Sequence, residues 1–327
     1  MQVTAVEDAL RAHPDDLASW GAYSDRLLEQ GDARGTLIRL EQRLARTRPA
    51  DRPAMEREIA DLVAEHESGW DDGLPATARV LARRYGFATE VAVPWSDDVR
   101  EVVEQVLRGR FVTTLRITSH KASHKASDED EDEEWDDEDD DWDDDEDDWD
   151  DEDDEDDWDD EDDGPGGEVR PGRLDLRALD GLDLGRLAAL DLSYLDLGPN
   201  GAELLAAGLR TDRLRALELR YCRIGDAGLA ALAASPHLGG LRRLHLQRNR
   251  VSAEGVRSLH RFPELTELDL RYNDIGEAGA EALIAAPFAG SLARLWLYGS
   301  DVGQDGVRRL AHAANLPSGL RSIWRSM

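Results

Sequence analysis

The chain has 327 residues, 40% of them hydrophobic, and a formal charge of −33, so it is long and apolar enough for a sizeable core in one or two domains. The charge is local: 32 of the 72 acidic residues fall within 128–163, and the 40 that remain stand against 39 basic ones. No run of about 18 apolar residues occurs, the opening MQVTAVEDALRAHPDD lacks a basic start and an apolar stretch, and a single cysteine excludes an internal disulfide framework, so a cytoplasmic protein without membrane contact is expected.

Residues 1–75 read as a small helical domain. Apolar spacing predicts helices over 5–12 and 17–29 and a longer run over 35–67, broken near Pro49 and Pro53. Asp15, Asp16, Asp25 and Asp32 fall where helix caps and turns are expected.

Over 76–118 the pattern turns to strands. Glu90-Val-Ala-Val-Pro94 and Phe111-Val-Thr-Thr-Leu115-Arg-Ile117 alternate as strands do, about 24 residues apart, with a helix predicted over 97–107 between them. This stretch is expected to start and cap a repeat array.

Residues 119–166 begin with a small basic direct repeat, Ser119-His-Lys-Ala-Ser-His-Lys-Ala-Ser127, and continue as the polyacid. Within it stand Trp135, Trp142, Trp149 and Trp158, spaced 7, 7 and 9. Nearly every intervening position carries the same charge, which opposes a coiled coil and predicts a disordered, extended tract. Interleaved aromatics let a polyanion grip a basic partner through cation–π and apolar contact, weakly held divalent cations are a second ligand class, and nucleic acid would be repelled. His120 and His124 lack the fixed geometry of a metal pair, and the acids lack the central glycine of an EF-hand, so neither a metal site nor a cofactor is expected.

From 167 to 327 the pattern L-x-x-L-x-L recurs as Leu187-Leu190-Leu192, Leu214-Leu217-Leu219, Leu241-Leu244-Leu246, Leu265-Leu268-Leu270 and Leu292-Leu295-Leu297, at spacings of 27, 27, 24 and 27. Each of the last four units continues with an Ile/Val-x-x-x-Gly turn, such as Ile224-Gly-Asp-Ala-Gly228, and an Ala/Leu-rich helix. A strand–turn–helix unit of this length cannot bury its own apolar face, so neighbours must stack: an α/β solenoid with a parallel sheet inside and helices outside. Leu320-Arg-Ser-Ile323 is expected to be a truncated sixth copy closing the carboxyl end. Val112, Leu115 and Ile117 fit the same triad 75 residues before Leu187, and subtracting one unit leaves about the length of 119–166. The acidic tract is therefore expected to be an insertion within one repeat, at a closure cost of about 2 kcal/mol.

The repeats resemble leucine-rich repeats of the ribonuclease-inhibitor type. That resemblance implies an Asn or Cys inside each turn, eight residues after the first leucine, where this chain has Leu195, Cys222, Asn249, Asn273 and Ser300. His13-Pro-Asp-Asp16 and the segment from Ser24 to Gly35 resemble the repeat-companion domain that precedes such repeats in many bacterial proteins, and Arg83-Arg-Tyr-Gly-Phe87 resembles the junction. Arg26 stands where that domain usually has a tryptophan. The companion resemblance implies fold and context, and no function.

Residues between the strand leucines are expected to project from the concave face in columns: Asp191, Glu218, His245, Asp269 and Trp296; then Ser193, Arg220, Gln247, Arg271 and Tyr298; then Tyr194, Tyr221, Arg248 and Tyr272. Aromatics and arginines in rows on a rigid sheet suit protein binding; the alternative is a solvated face whose charges neutralise one another. Phosphate-binding loops, G-x-S-x-G, H-E-x-x-H and paired C-x-x-C motifs are all absent from the sequence, so catalytic residues are not expected. The leading expectation is a non-enzymatic interaction scaffold, its concave face binding a protein and its acidic tract a basic element. Three alternatives stay open: an inhibitor or immunity-type protein against a basic enzyme; a regulator like the GTPase-activating protein for Ran, whose acids follow the array and do not interrupt it; and a polyanionic chaperone or cation buffer.

Overall fold

The computed structural model describes residues 3–71, 73–119, 176–179 and 181–326. Four helices come first: α1 (Val3–Ala12), α2 (Leu17–Glu29), α3 (Arg34–Leu44) and α4 (Arg52–Trp70). The long helical run expected over 35–67 is divided where its prolines lie. Pro49 opens a 3-10 turn, and Pro53 occupies the first turn of α4, where a missing N–H leaves no helical bond unmade. Asp16 caps α2, accepting from the Ala18 amide at 3.1 Å.

Trp20, Tyr23 and Leu27 of α2 pack with Leu10, Ile38, Tyr85, Phe87 and Phe111 in one buried cluster. Its rings meet edge-on, with Trp20–Tyr85 and Phe87–Phe111 centroids both 4.8 Å apart. Tyr85 and Phe87 belong to the sheet, so this cluster joins the helices to the solenoid.

Among the described residues one sheet of eight strands runs in chain order: β1 (Arg79–Arg84), β2 (Phe87–Pro94), β3 (Thr114–Thr118), β4 (Ala189–Asp191), β5 (Ala216–Glu218), β6 (Arg243–His245), β7 (Glu267–Asp269) and β8 (Arg294–Trp296). β1 and β2 form an antiparallel hairpin about Tyr85 and Gly86, both at positive φ, and every later pairing is parallel. β1 was not expected: its Arg79-Val-Leu-Ala-Arg-Arg84 lacks clean period-two alternation. From β3 onward the register is a single leucine column, Leu115, Leu190, Leu217, Leu244, Leu268 and Leu295. Helices cover the other side: α5 (Val99–Leu107) between β2 and β3, then α6 (Gly198–Gly208), α7 (Gly225–Ala234), α8 (Ala253–Ser258), α9 (Gly276–Ala285) and α10 (Gly299–His312). Among the described residues no helix is long and apolar enough to cross a membrane.

β3 pairs directly with β4, so everything from residue 119 to 188 connects two neighbouring strands. The four tryptophans of the acidic tract, and the tract itself, lie outside the described residues. At the other end one expectation is corrected. Leu320-Arg-Ser-Ile323 is no strand; it lies in α11 (Ser318–Arg325). Leu320 and Trp324, four residues apart, turn inward while Ile323 is 49% exposed, so period 3.6 and not period 2 governs the segment after Pro317.

Candidate functional site

The sheet geometry decides which side chains reach the concave face. Leucines of each strand point inward, and the residues alternating with them point out. In the first column Asp191 and Asp269 are nevertheless buried, because arginines lie over them. Arg116 Nε is 2.9 Å from Asp191 Oδ2, Arg220 Nη2 donates to Glu218 Oε2 at 2.7 Å, and Arg271 chelates both oxygens of Asp269. That bidentate hydrogen bond raises the Arg271 guanidinium further above its ordinary value. His245 sits 3.8 Å from Glu218 with its ring edge-on to Trp296, 5.5 Å between centroids, and burial pushes its imidazole below the ordinary range. The centre of the face is thus a floor of mutually neutralised charge. Arg116 and its neighbour Glu90 belong to this floor. The leucine triads give no sign of them, because β2 and β3, which carry Glu90 and Arg116, are separated from the clear repeats by the acidic tract.

The outer row differs. Tyr194 and Tyr272 are 52% and 51% exposed, Tyr298 is 38% exposed, Arg248 is exposed and Tyr221 half-buried. Tyr194 stacks on Tyr221 with centroids 4.9 Å apart, and Arg248 lies 5.6 Å over the other ring of that pair. Tyr272 meets Tyr298 edge-on at 5.1 Å, and Arg271 lies 6.0 Å over Tyr298. Tyr194, Tyr221, Arg248 and Tyr272 all have left-handed backbone, φ 65°, 57°, 52° and 57°. For large L side chains that conformation costs about 1 kcal/mol each, and Gly or Asn avoids most of it.

Under this row runs a ladder of turn side chains. Asn273 Nδ2 donates to the Leu246 and Leu270 carbonyls, both at 2.9 Å, and its Oδ1 accepts from the Asn249 and Val251 amides at 2.9 and 3.0 Å. Asn249 does the same one unit earlier, donating to the Leu219 and Gln247 carbonyls and accepting from the Ile224 amide. Residues 214–233, 241–259 and 263–284 match the family described as Leucine Rich repeat. These segments are leucine-rich repeats. No curated protein matches the chain.

Leucine-rich repeats are typically non-catalytic and mediate protein–protein interaction. The strands flanking the matched repeats, β4 and β8, continue their register unbroken. The turn position varies along the array. Leu195 fills it with an apolar side chain, fully buried. Cys222 fills it with a thiol 3.2 Å from the Leu192 carbonyl and 3.4 Å from that of Arg220. In the last repeat Ser300 does not take this role. It lies inside α10, and the adjacent Asp301 accepts from the Tyr272 amide at 3.1 Å and the Tyr298 amide at 2.8 Å.

Burial pushes the Cys222 thiol up to about 12. Only about one thiol in ten thousand is then ionised at pH 8, so Cys222 should resist iodoacetamide in the native protein and react once denatured. Mass spectrometry of the labelled chain checks this; stoichiometric native labelling would mean an accessible, reactive cysteine.

Among the described residues no group of three or more His, Cys, Asp or Glu side chains is placed to hold a metal. Clefts of about 460 and 630 Å³ lie around α10 and α11; the first is lined by Asp274, Ser300 and Asp301, and so adjoins the turns that carry Tyr272 and Tyr298.

Proposed function

We propose that the chain is a recognition protein whose outer concave row, Tyr194, Tyr221, Arg248, Tyr272 and Tyr298, seats a protein partner over the neutral floor of Asp191, Glu218, Arg220, His245, Gln247, Asp269, Arg271 and Trp296. The observation that carries this is the left-handed backbone at four consecutive units of the row. A conformation that favours Gly or Asn is filled by three tyrosines and an arginine, the residue types that dominate binding energy at interfaces. Tyrosine also buries much area while losing few rotors.

In this reading residues 1–75 form a companion domain, 76–118 start the solenoid, 119–166 are an insertion within one repeat, and 167–327 complete it. The repeats are of the ribonuclease-inhibitor type, in a cytoplasmic bacterial protein. The acidic tract engages a basic element, its four tryptophans adding cation–π grip. Affinity capture with the intact chain and with residues 119–166 deleted tests the division of labour. A partner shared by both baits is expected; loss of every partner on deletion would leave the tract as the sole binding element and overturn the reading.

A further inference from the structure

The loops entering β4, β5 and β6, residues 181–188, 209–215 and 235–242, carry five arginines and two aspartates. They lie on the long edge of the solenoid opposite the tyrosine row. Adjacent strands are about 4.8 Å apart, so the three loops bring this charge within roughly 10 Å along the edge, close to the screening length at physiological salt. Arg186, Arg210, Arg213 and Arg242 are exposed, and Arg215 is half-buried. Arg242 reaches Glu264 at 3.7 Å, and Arg215 donates to the backbone carbonyls of Asp212 and Leu214. Among the described residues Arg186, Arg210 and Arg213 form no ion pair, and the Asp8 carboxylate of α1, held by Arg11, feels the charge of Arg186 and Arg213 from beyond that distance. The concave floor differs: Arg116, Arg220 and Arg271 are each committed to a carboxylate, while Arg248 of the outer row lies over the Tyr221 ring.

We infer that this arginine rim is the docking site of the chain's own carboxylate segment, residues 128–163. The inference rests on the reading that the tract engages a basic element, and it places that element in the same molecule. Charge complementarity is direct: 32 carboxylates against a rim of unpaired guanidinium groups, whose planar forks suit carboxylate oxygens. The connectivity also favours the cis arrangement. In sequence, the turn Leu176–Leu179 falls between the acidic residues and the loop that carries Arg186. The 23 residues from Asp163 to Arg186 can span on the order of 70 Å, several times the length of the rim. Tethering at both ends gives an effective concentration in about the millimolar range, ahead of any free polyanion.

Small-angle scattering of the full chain at about 0.02 M and about 0.5 M salt distinguishes a docked tract from an undocked one by sign. An undocked polyacid contracts as salt screens its self-repulsion; a docked one is released and the molecule expands. The wild-type radius of gyration is therefore expected to rise with salt. In the triple variant Arg186→Glu, Arg210→Glu, Arg213→Glu it should start larger and fall, and the corresponding triple glutamine variant should lie between. Matching thermal unfolding of the repeats in all three shows that the fold is intact. A wild-type radius that falls with salt as the glutamate variant's does would overturn the inference. So would a molecular mass that doubles at low salt in the wild type alone, which would assign the rim to a second copy's tract. Neither outcome touches capture of a partner at the tyrosine row, so the proposed function stands or falls separately.

Discussion

Asn273→Ala is expected to lower the unfolding free energy by about 4 kcal/mol. The side chain is 6% exposed and makes bonds to groups in its own repeat and the one before. Alanine removes the acceptor for two amides, Asn249 and Val251, and the donor for two carbonyls, Leu246 and Leu270. Each buried group left unpaired costs about 1–3 kcal/mol, and partial relaxation brings the sum down to the stated figure. Asn273→Asp should be nearly as damaging: it keeps the acceptor but loses both donors and introduces a buried charge. Asn249→Ala is expected to cost about 3 kcal/mol, since the Gln247 carbonyl that Asn249 serves is part-buried and keeps the Tyr221 amide as a donor. Urea unfolding followed by circular dichroism checks the series. Solenoid repeats stabilise one another through nearest-neighbour interfaces, so the defect should weaken coupling between β6 and β7 and broaden the transition. A loss below about 1 kcal/mol for Asn273→Ala would mean that water replaces the ladder, contrary to its burial.

What could be read in advance divides along physical lines. The leucine triads carry the strand register because burial of one face leaves no freedom in phase, and Leu190 to Leu295 fall into one column with the sequence spacing of 27, 27, 24 and 27. Val112, Leu115 and Ile117 extended that column across the acidic tract for the same reason. The outer faces of the columns were legible too, as period two assigns a face. It does not assign a rotamer, so the pairing of Arg271 with Asp269 and of Arg116 with Asp191, which turns the floor neutral, was not legible. β1 went unseen because it is an edge strand with register shifts between Val80 and Arg83, and none of its residues is buried, so no period of two shows. α11 was misread because two apolar residues three apart, Leu320 and Ile323, fit a strand fragment until Trp324 is counted, and Trp324 is the one that is buried. Ser300 was a one-position error: a capping carboxylate at Asp301 does the same chemistry as a turn asparagine from the next residue. The left-handed tyrosines gave no signal at all, since sequence reading associates positive φ with Gly and Asn.

That last feature supplies the second large effect. Tyr272→Asn should leave stability within about 1 kcal/mol of wild type, because relief of left-handed strain, about 1 kcal/mol, offsets loss of the edge contact with Tyr298, about 0.5–1.5 kcal/mol. Affinity for the captured partner should instead fall about 30-fold, the consequence of removing a hot-spot side chain worth about 2 kcal/mol. Tyr194→Asn is expected to behave alike. Three strand spacings, about 14 Å, separate β4 from β7, so the two losses should add to about 1,000-fold in the double variant. Glu218→Gln is the contrast: its carboxylate is already committed to Arg220, and the change should cost partner affinity less than about threefold. Titration calorimetry with the partner, beside thermal unfolding of each variant, reads both quantities. If the double variant bound as tightly as wild type while Glu218→Gln did not, the binding energy would lie in the charged floor, and the strain in the tyrosine row would need another cause. The two surfaces belong to the same repeats: among the described residues the floor holds buried atoms left without a hydrogen-bond partner, Arg116 Nε, Arg220 Nε and His245 Nε2, whereas the row is proposed to bind on its exposure and left-handed backbone, which is what these variants test.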